Sequence, residues 1–528
     1  MRKRYRACEA CHRLKIRCDG SPATGGPCER CTRNNLQCVP AAPRLQRDRI
    51  SELEAQVQAL QSTLREKSSS TTPSVLSSDG APENLSHGML AFLDARIPPT
   101  HQLDLLQQFP QQAGAAWPVI RPPQDLDLLR QKSPILLLSL MAYCFTQQAQ
   151  DTDLEVHEGL VRETMRLLGN EVIGRGQRSL ELVQALLVSA FWNKFTRSGM
   201  QGSPYQVIQL AADMAIDLGI GGFSLLPSPA AFFCRLEDPY SLDARRTWLA
   251  CFIALSTSSL STRRPHTVPW NAYHEQCVAL LEAQGDVSDL LLCQIVRITR
   301  LVEEISTNLS LCQVDSFVDC NSPETEAVMH AMKAKVDEWA AQVPPSLASS
   351  PTLAIWNHLA IMYIYEPVLH TPTNKGSFAA PFIPGRIPVQ DIPKPDNITP
   401  RLQAALGALV HHGHAIIDVA AHMDPELVIN LPSFCFSPIV VYALFVLATG
   451  LVVAADPEST YRQHMGRDGF QIDECGNKLK GLVDRLKSLD PTMSCWTTKL
   501  FDATGWLQQW HSDYSTIVER YERSVSKS

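Results

Sequence analysis

The chain has 528 residues, 45% of them hydrophobic and 19% charged, with a formal net charge of −7. That composition is the composition of a large folded body, and it excludes a chain that is basic from end to end. The charge is unevenly placed: residues 1–49 carry twelve Lys/Arg and four Asp/Glu, a net of +8, which leaves −15 for residues 50–528. A basic head on an acidic body is the distribution expected when only the head meets nucleic acid.

The head holds six cysteines in a duplicated frame, Cys8-x2-Cys11-x6-Cys18 and Cys28-x2-Cys31-x6-Cys38. The repeat, offset by twenty, extends to Glu9/Glu29, Arg13/Arg33 and Ile16/Leu36. It breaks where charge is concerned: Lys15 and Arg17 in the first half stand opposite Asn35 and Gln37 in the second. One half is therefore built to meet an anion and its twin is not.

Six thiolates satisfy two tetrahedral zincs if two sulfurs bridge, or one zinc with two thiols to spare. Disulfides are the third arrangement. No apolar stretch follows Met1 to Arg6, so a reducing compartment and metal ligation are expected. A segment this short buries too little apolar surface to fold alone, so a metal must supply the folding energy. The loop from Asp19 to Pro27, with three glycines and two prolines, makes the return between the halves.

This frame, with His12, Arg13, Leu14, Lys15, Ile16 and Arg17 leading to Cys18, resembles the fungal Zn2Cys6 binuclear-cluster transcription factors. The resemblance implies two short helices around two Zn2+ ions, one on Cys8, Cys11, Cys18 and Cys28, the other on Cys28, Cys31, Cys38 and Cys8. It implies that Lys15 reads the bases of a CGG-type triplet in double-stranded DNA. Leu14 departs from several members of the family, which carry a second basic side chain there. Arg13 and Arg17, with Arg2, Lys3, Arg4 and Arg6, are expected to meet phosphates, which position a protein without reading sequence; the arm also reads as a nuclear-localisation signal.

After a linker from Val39 to Arg49, residues 48–67 carry a heptad stripe: Ile50, Leu53, Val57, Leu60 and Leu64 at positions a, d, a, d, a. β-Branched residues at a with Leu at d favour a parallel two-stranded coiled coil, so a homodimer reading two half-sites is expected. Residues 68–88 are rich in Ser and Pro and read as a flexible linker.

From residue 89 to 528 the periodicity is helical, and the expected fold class is all-α. Leu180, Val183, Leu187, Ala190 and Phe191 form one stripe, and Val207, Ala211, Met214 and Leu218 the next, with Gly219 as a C-cap. Ser179 to Leu187, Ala211 to Gly219, Ala244 to Leu249 and Arg263-Arg264-Pro265 resemble the middle homology region that follows such clusters. The resemblance implies an α-helical regulatory domain, in some members responsive to a small-molecule effector. Arg245, Arg246 and Trp248 are expected to serve packing and salt bridges. The apolar run Ile439 to Ala455 reads as a buried core helix, since a membrane span usually needs about 20 residues. The helix face bearing His411, His414, Asp418 and His422 is weighed as a metal or catalytic site and set below a structural role. The proline-rich stretch from Thr371 to Pro400 is expected to be a long surface loop. The ten cysteines beyond Cys38 have no metal-ligand spacing and read as reduced core residues.

No catalytic signature of known spacing is present. The expected function is a nuclear, zinc-dependent regulator of RNA polymerase II transcription that contacts the transcription machinery and serves a fungal biosynthetic gene cluster. A regulator of nutrient use is the alternative, with a helical effector-binding protein or enzyme carrying a zinc-cluster head behind it.

Overall fold

The computed structural model describes residues 7–18, 26–39, 82–145, 154–194, 203–231 and 235–525. The chain divides into two units, Met1–Ala81 and Pro82–Ser528. Among the described residues the regular structure is helical, apart from isolated bridge residues at Cys8 and at the antiparallel pair Lys194 and Cys495. The all-α expectation holds.

Among the described residues the first unit has two five-residue helices, α1 (Glu9–Arg13) and α2 (Glu29–Arg33). Its interior consists of Cys8, Cys11, Cys28 and Cys31, with Ala7, Ala10, Cys18 and Cys38 packed against them. The larger apolar side chains Leu14, Ile16, Leu36 and Val39 lie exposed instead. No aliphatic core holds these turns together, as expected of a segment whose folding energy comes from a metal.

The second unit begins earlier than the sequence pattern indicates. Helix α3 spans Pro82–Asp94, so residues 82–88 belong to the helical body and not to the linker. Pro82 at the first helical position explains the start: its fixed φ suits a helix, and its missing N–H costs nothing there. Both expected stripes form helices, α4 (Leu180–Phe191) and α5 (Pro204–Asp217), and the two pack against each other. Ser179 caps α4 by accepting from the Leu182 N–H. Gly219 ends α5 in the left-handed region, at φ 80°, while the Gly219 and Ile220 N–H groups close on the Ile216 and Ala215 carbonyls.

Helices α6 (Leu242–Thr262), α7 (Val287–Asn308), α8 (Pro351–Tyr365), α9 (Pro400–His422), α10 (Ser437–Ala455) and α11 (Ile472–Leu489) contribute much of the remaining core. α10 is its centre: every residue from Ile439 to Ala455 is buried, and the helix packs on α9 and α11. Among the described residues two helices, α9 and α10, are long and apolar enough to cross a membrane, but 94% of the apolar window of α10 is buried inside the body. The crossing of α9 and α10 is close, since a Cβ on Gly413 would come within 3.1 Å of the Leu447 side chain.

The proline-rich stretch is not a free surface loop. Phe378, Phe382, Ile387 and Ile392 are buried, and the Ala380 N–H donates to the Ser261 carbonyl at 2.7 Å. Apolar residues spaced between the prolines tie a segment without long helices into the core.

A buried polar knot anchors that segment. The Glu366 carboxylate accepts from Arg263, Tyr442 and, at 2.8 Å, His370 Nε2, all inside the body. Burial alone would raise the Glu366 carboxyl, but the Arg263 charge and these donors hold it down to about 2. Arg263 also donates through Nε to the Phe378 carbonyl at 3.0 Å. Nearby, Lys375 is buried and donates to the Ser310, Gln313 and Ser316 carbonyls.

Candidate metal centre and nucleic-acid interface

The cysteine frame closes into two overlapping groups of four: Cys8, Cys11, Cys18 and Cys28, and Cys8, Cys28, Cys31 and Cys38, with the sulfurs of each group within 4.8 Å of one another. Cys8 and Cys28 are common to both. The Sγ–Sγ separations are 3.8 Å for Cys8–Cys28, 3.6 Å for Cys8–Cys31 and 3.8 Å for Cys11–Cys28. A tetrahedral zinc with Zn–S bonds near 2.3 Å requires about 3.8 Å between ligand sulfurs, so the donor set fits zinc. A disulfide would bring two sulfurs to about 2.05 Å, and every described cysteine is free.

The shared sulfurs occupy special places. Cys28 is the N-cap of α2, and its sulfur accepts the Cys31 N–H at 3.4 Å. That backbone bond pulls the Cys28 thiol down to about 6, even against burial. Cys8, one residue before α1, is also lowered: burial pushes it up, but the Cys11 backbone N–H and neighbouring thiols outweigh that. Burial drives Cys11 the other way, up to about 11, although Arg30 donates to its sulfur at 3.8 Å. Both sulfurs common to the two groups are thus lowered. In the sequence Arg30 stands opposite Ala10 and breaks the repeat, and nothing local marks its contact with Cys11.

The pseudo-twofold relation extends to the backbone. The Cys8 N–H meets the Cys18 sulfur at 3.5 Å, and the Cys28 N–H meets the Cys38 sulfur at 3.3 Å. The Ile16 N–H closes on the Cys11 carbonyl at 3.2 Å, and the Leu36 N–H on the Cys31 carbonyl at 2.9 Å. Lys15 and Asn35 both sit in the left-handed region, each at φ 52°. Asn tolerates that conformation, whereas for most other side chains it costs about 1–2 kcal/mol. Lys15 therefore occupies a place whose geometry suits its twin better, and an Asn at one equivalent position was the only sign of this in the sequence.

Arg13, Lys15 and Arg17 are all exposed. Arg2, Lys3, Arg4 and Arg6, and the heptad residues Ile50, Leu53, Val57, Leu60 and Leu64, lie outside the described residues.

The histidine face of α9 does not form a metal site. His414 Nε2 meets the Phe470 carbonyl at 2.9 Å, His422 Nδ1 donates to the Asp418 carbonyl at 2.7 Å, and the Asp418 carboxylate pairs with Lys478 at 2.7 Å. Each side chain serves a different structural contact. Arg246 likewise forms a buried two-pronged pair with Asp289 of α7, at 2.8 and 3.0 Å. Arg245 donates to the Tyr240 carbonyl at 2.9 Å, and Trp248 is fully buried beside His274. The structural role expected of these three is what the body uses them for. Of the cysteines beyond Cys38, the described ones are buried or half-buried and unpaired.

Two overlapping groups of four cysteines on twin short helices suit a binuclear zinc cluster, and residues 6–48 match the fungal Zn(2)-Cys(6) binuclear cluster domain. Transcription factor pbcR of Emericella nidulans is 26% identical over 63% of this chain and 52% of its own length. Transcription factor opdL of Penicillium oxalicum is 24% identical over 71% of this chain and 69% of its own, and transcription factor himD of Aspergillus japonicus 24% over 70% and 63%. The chain thus spans between about half and two thirds of the length of these relatives, and the likeness reaches well beyond the cluster into the helical body. No solved structure matches. Residues 6–48 thus carry a fungal Zn(2)-Cys(6) binuclear cluster domain, and the chain is similar to proteins named as fungal transcription factors.

Proposed function

We propose that this protein is a sequence-specific, double-stranded-DNA-binding regulator of RNA polymerase II transcription that works in the nucleus. The observation that carries the reading is the matched pair of cluster halves, alike in ligands and backbone but different in charge, with Lys15 held in a conformation that favours Asn. Two Zn2+ ions, one in each sulfur group and joined by Cys8 and Cys28, would hold the twin helices in register. Zinc supplies folding energy there and no chemistry. The cluster then presents Lys15 to the O6 and N7 acceptors of guanine in a CGG-type triplet, while Arg13 and Arg17 meet phosphates on either side. Pairing of two chains through residues 48–67 would set two such heads at a fixed separation. The helical body acts as the regulatory part, open to a small-molecule effector, and the genes served are those of a biosynthetic cluster.

The test is binding of the zinc-loaded chain to duplexes containing CGG triplets and to scrambled duplexes, with Lys15→Ala alongside. The reading requires a clear preference for the triplet and a loss of about 1–3 kcal/mol of that preference in the variant. Equal affinity for scrambled DNA would overturn it. Mapping chromatin occupancy in the fungus decides the genes served; occupancy confined to nutrient-use genes replaces the biosynthetic assignment with the catabolic one.

A further inference from the structure

Leu14 is 57% exposed, the most exposed of the large apolar side chains described in the cluster unit, and it sits between the exposed cations Arg13 and Lys15. Its twin in the second half is Asn34. That side chain is used inside the fold: Asn34 Nδ2 donates to the Arg30 carbonyl at 3.0 Å, closing the end of α2. Leu14 can make no such bond, so the first half gives up a capping hydrogen bond and places an apolar group in water. The cluster gains nothing from it, because its interior is made of cysteines. A residue that weakens the fold locally, set among the cations of one half only, points to a partner with an apolar feature inside a polyanion.

The major groove of DNA offers one such feature, the C5-methyl group of thymine, and apolar side chains read it by direct contact. We propose that Leu14 contacts a thymine methyl, so that the recognised site extends from the triplet read by Lys15 to a flanking T·A pair. This rests on the DNA-reading function proposed above. Neither strand of a CGG triplet contains thymine, so the methyl must come from a neighbouring pair. The substitution that removes a second basic contact in this chain thereby supplies a different kind of readout.

Replacing thymine by deoxyuridine removes the methyl and leaves the hydrogen-bonding edge intact. Full-length zinc-loaded protein is titrated against CGG duplexes in which each flanking T·A pair in turn carries thymine or deoxyuridine. At one position deoxyuridine should weaken binding roughly three- to tenfold, as expected for losing a buried methyl contact. Leu14→Asn, which copies the twin half, and Leu14→Lys should keep the preference for CGG and lose the thymine–deoxyuridine difference, with unchanged zinc content. A wild-type protein that prefers CGG but binds thymine and deoxyuridine equally at every flanking position overturns the Leu14 contact and leaves the DNA-reading function standing. So do Leu14 variants that keep the difference. Loss of the CGG preference itself overturns both.

Discussion

The cluster and the helical body are held together by different forces. In the cluster the buried side chains are cysteines and the aliphatic ones face outward. In the body, α10 is buried along nearly its whole length, and buried charges are either paired, as in Arg246–Asp289 and Arg263–Glu366, or held by backbone groups, as Lys375 is by three carbonyls. A short segment can thus place its side chains for a partner because a metal supplies its folding energy, whereas the body must spend its apolar residues on itself. In the first half of the cluster Leu14, Lys15 and Arg17 are all exposed.

The strongest way to break this contrast is chelation. Zinc removal, or Cys28→Ser at a sulfur common to both groups, should withdraw binding energy on the order of 10–16 kcal/mol from the cluster. DNA binding should vanish while the helical circular dichroism of the body persists. Loss of both together would mean that the units do not fold independently.

In the body the corresponding variant is Glu366→Gln, which leaves Arg263 buried without its counter-charge and should cost about 3–5 kcal/mol. Thermal unfolding of the helical signal reads the loss, and zinc content should not change. The same group makes the body acid-sensitive in a defined direction. Its folded carboxyl lies below the usual glutamate range, so its contribution is complete above that range and is lost as pH falls towards about 2. In Glu366→Gln that part of the acid transition should disappear.

Smaller effects separate the two halves of the cluster. Lys15→Asn should remove about 1–3 kcal/mol of sequence discrimination while leaving zinc affinity equal or slightly higher, because Asn relieves the left-handed backbone. The converse change, Asn35→Lys, should weaken the cluster by about 1 kcal/mol and create no new base preference. Competition with a zinc-binding dye measures both.

Much of the site was legible because its information is local. Ligand type and spacing name the metal frame, and the offset of twenty between the halves exposes Lys15 against Asn35. The 3.6-residue stripes of α4 and α5, the Gly219 cap and the burial of α10 were readable for the same reason: a helix repeats its chemistry every few residues. The histidine face of α9 shows the limit. Side chains aligned on one face need not share a partner, and Phe470 and Lys478 from other parts of the body claim them separately.

The sequence alone determined the metal-binding frame, its broken twofold charge pattern and the helical character of the body, because these depend on residues close together in the chain. The tertiary structure decided which polar groups are buried and which apolar ones are left out. Arg263 finds Glu366 across 103 residues, and the proline-rich segment enters the core by the same packing. In the cluster, only the three-dimensional arrangement shows that Asn34 turns back to cap its helix while Leu14 stays in water. Those outcomes depend on which surfaces meet after folding, and chain order does not record that.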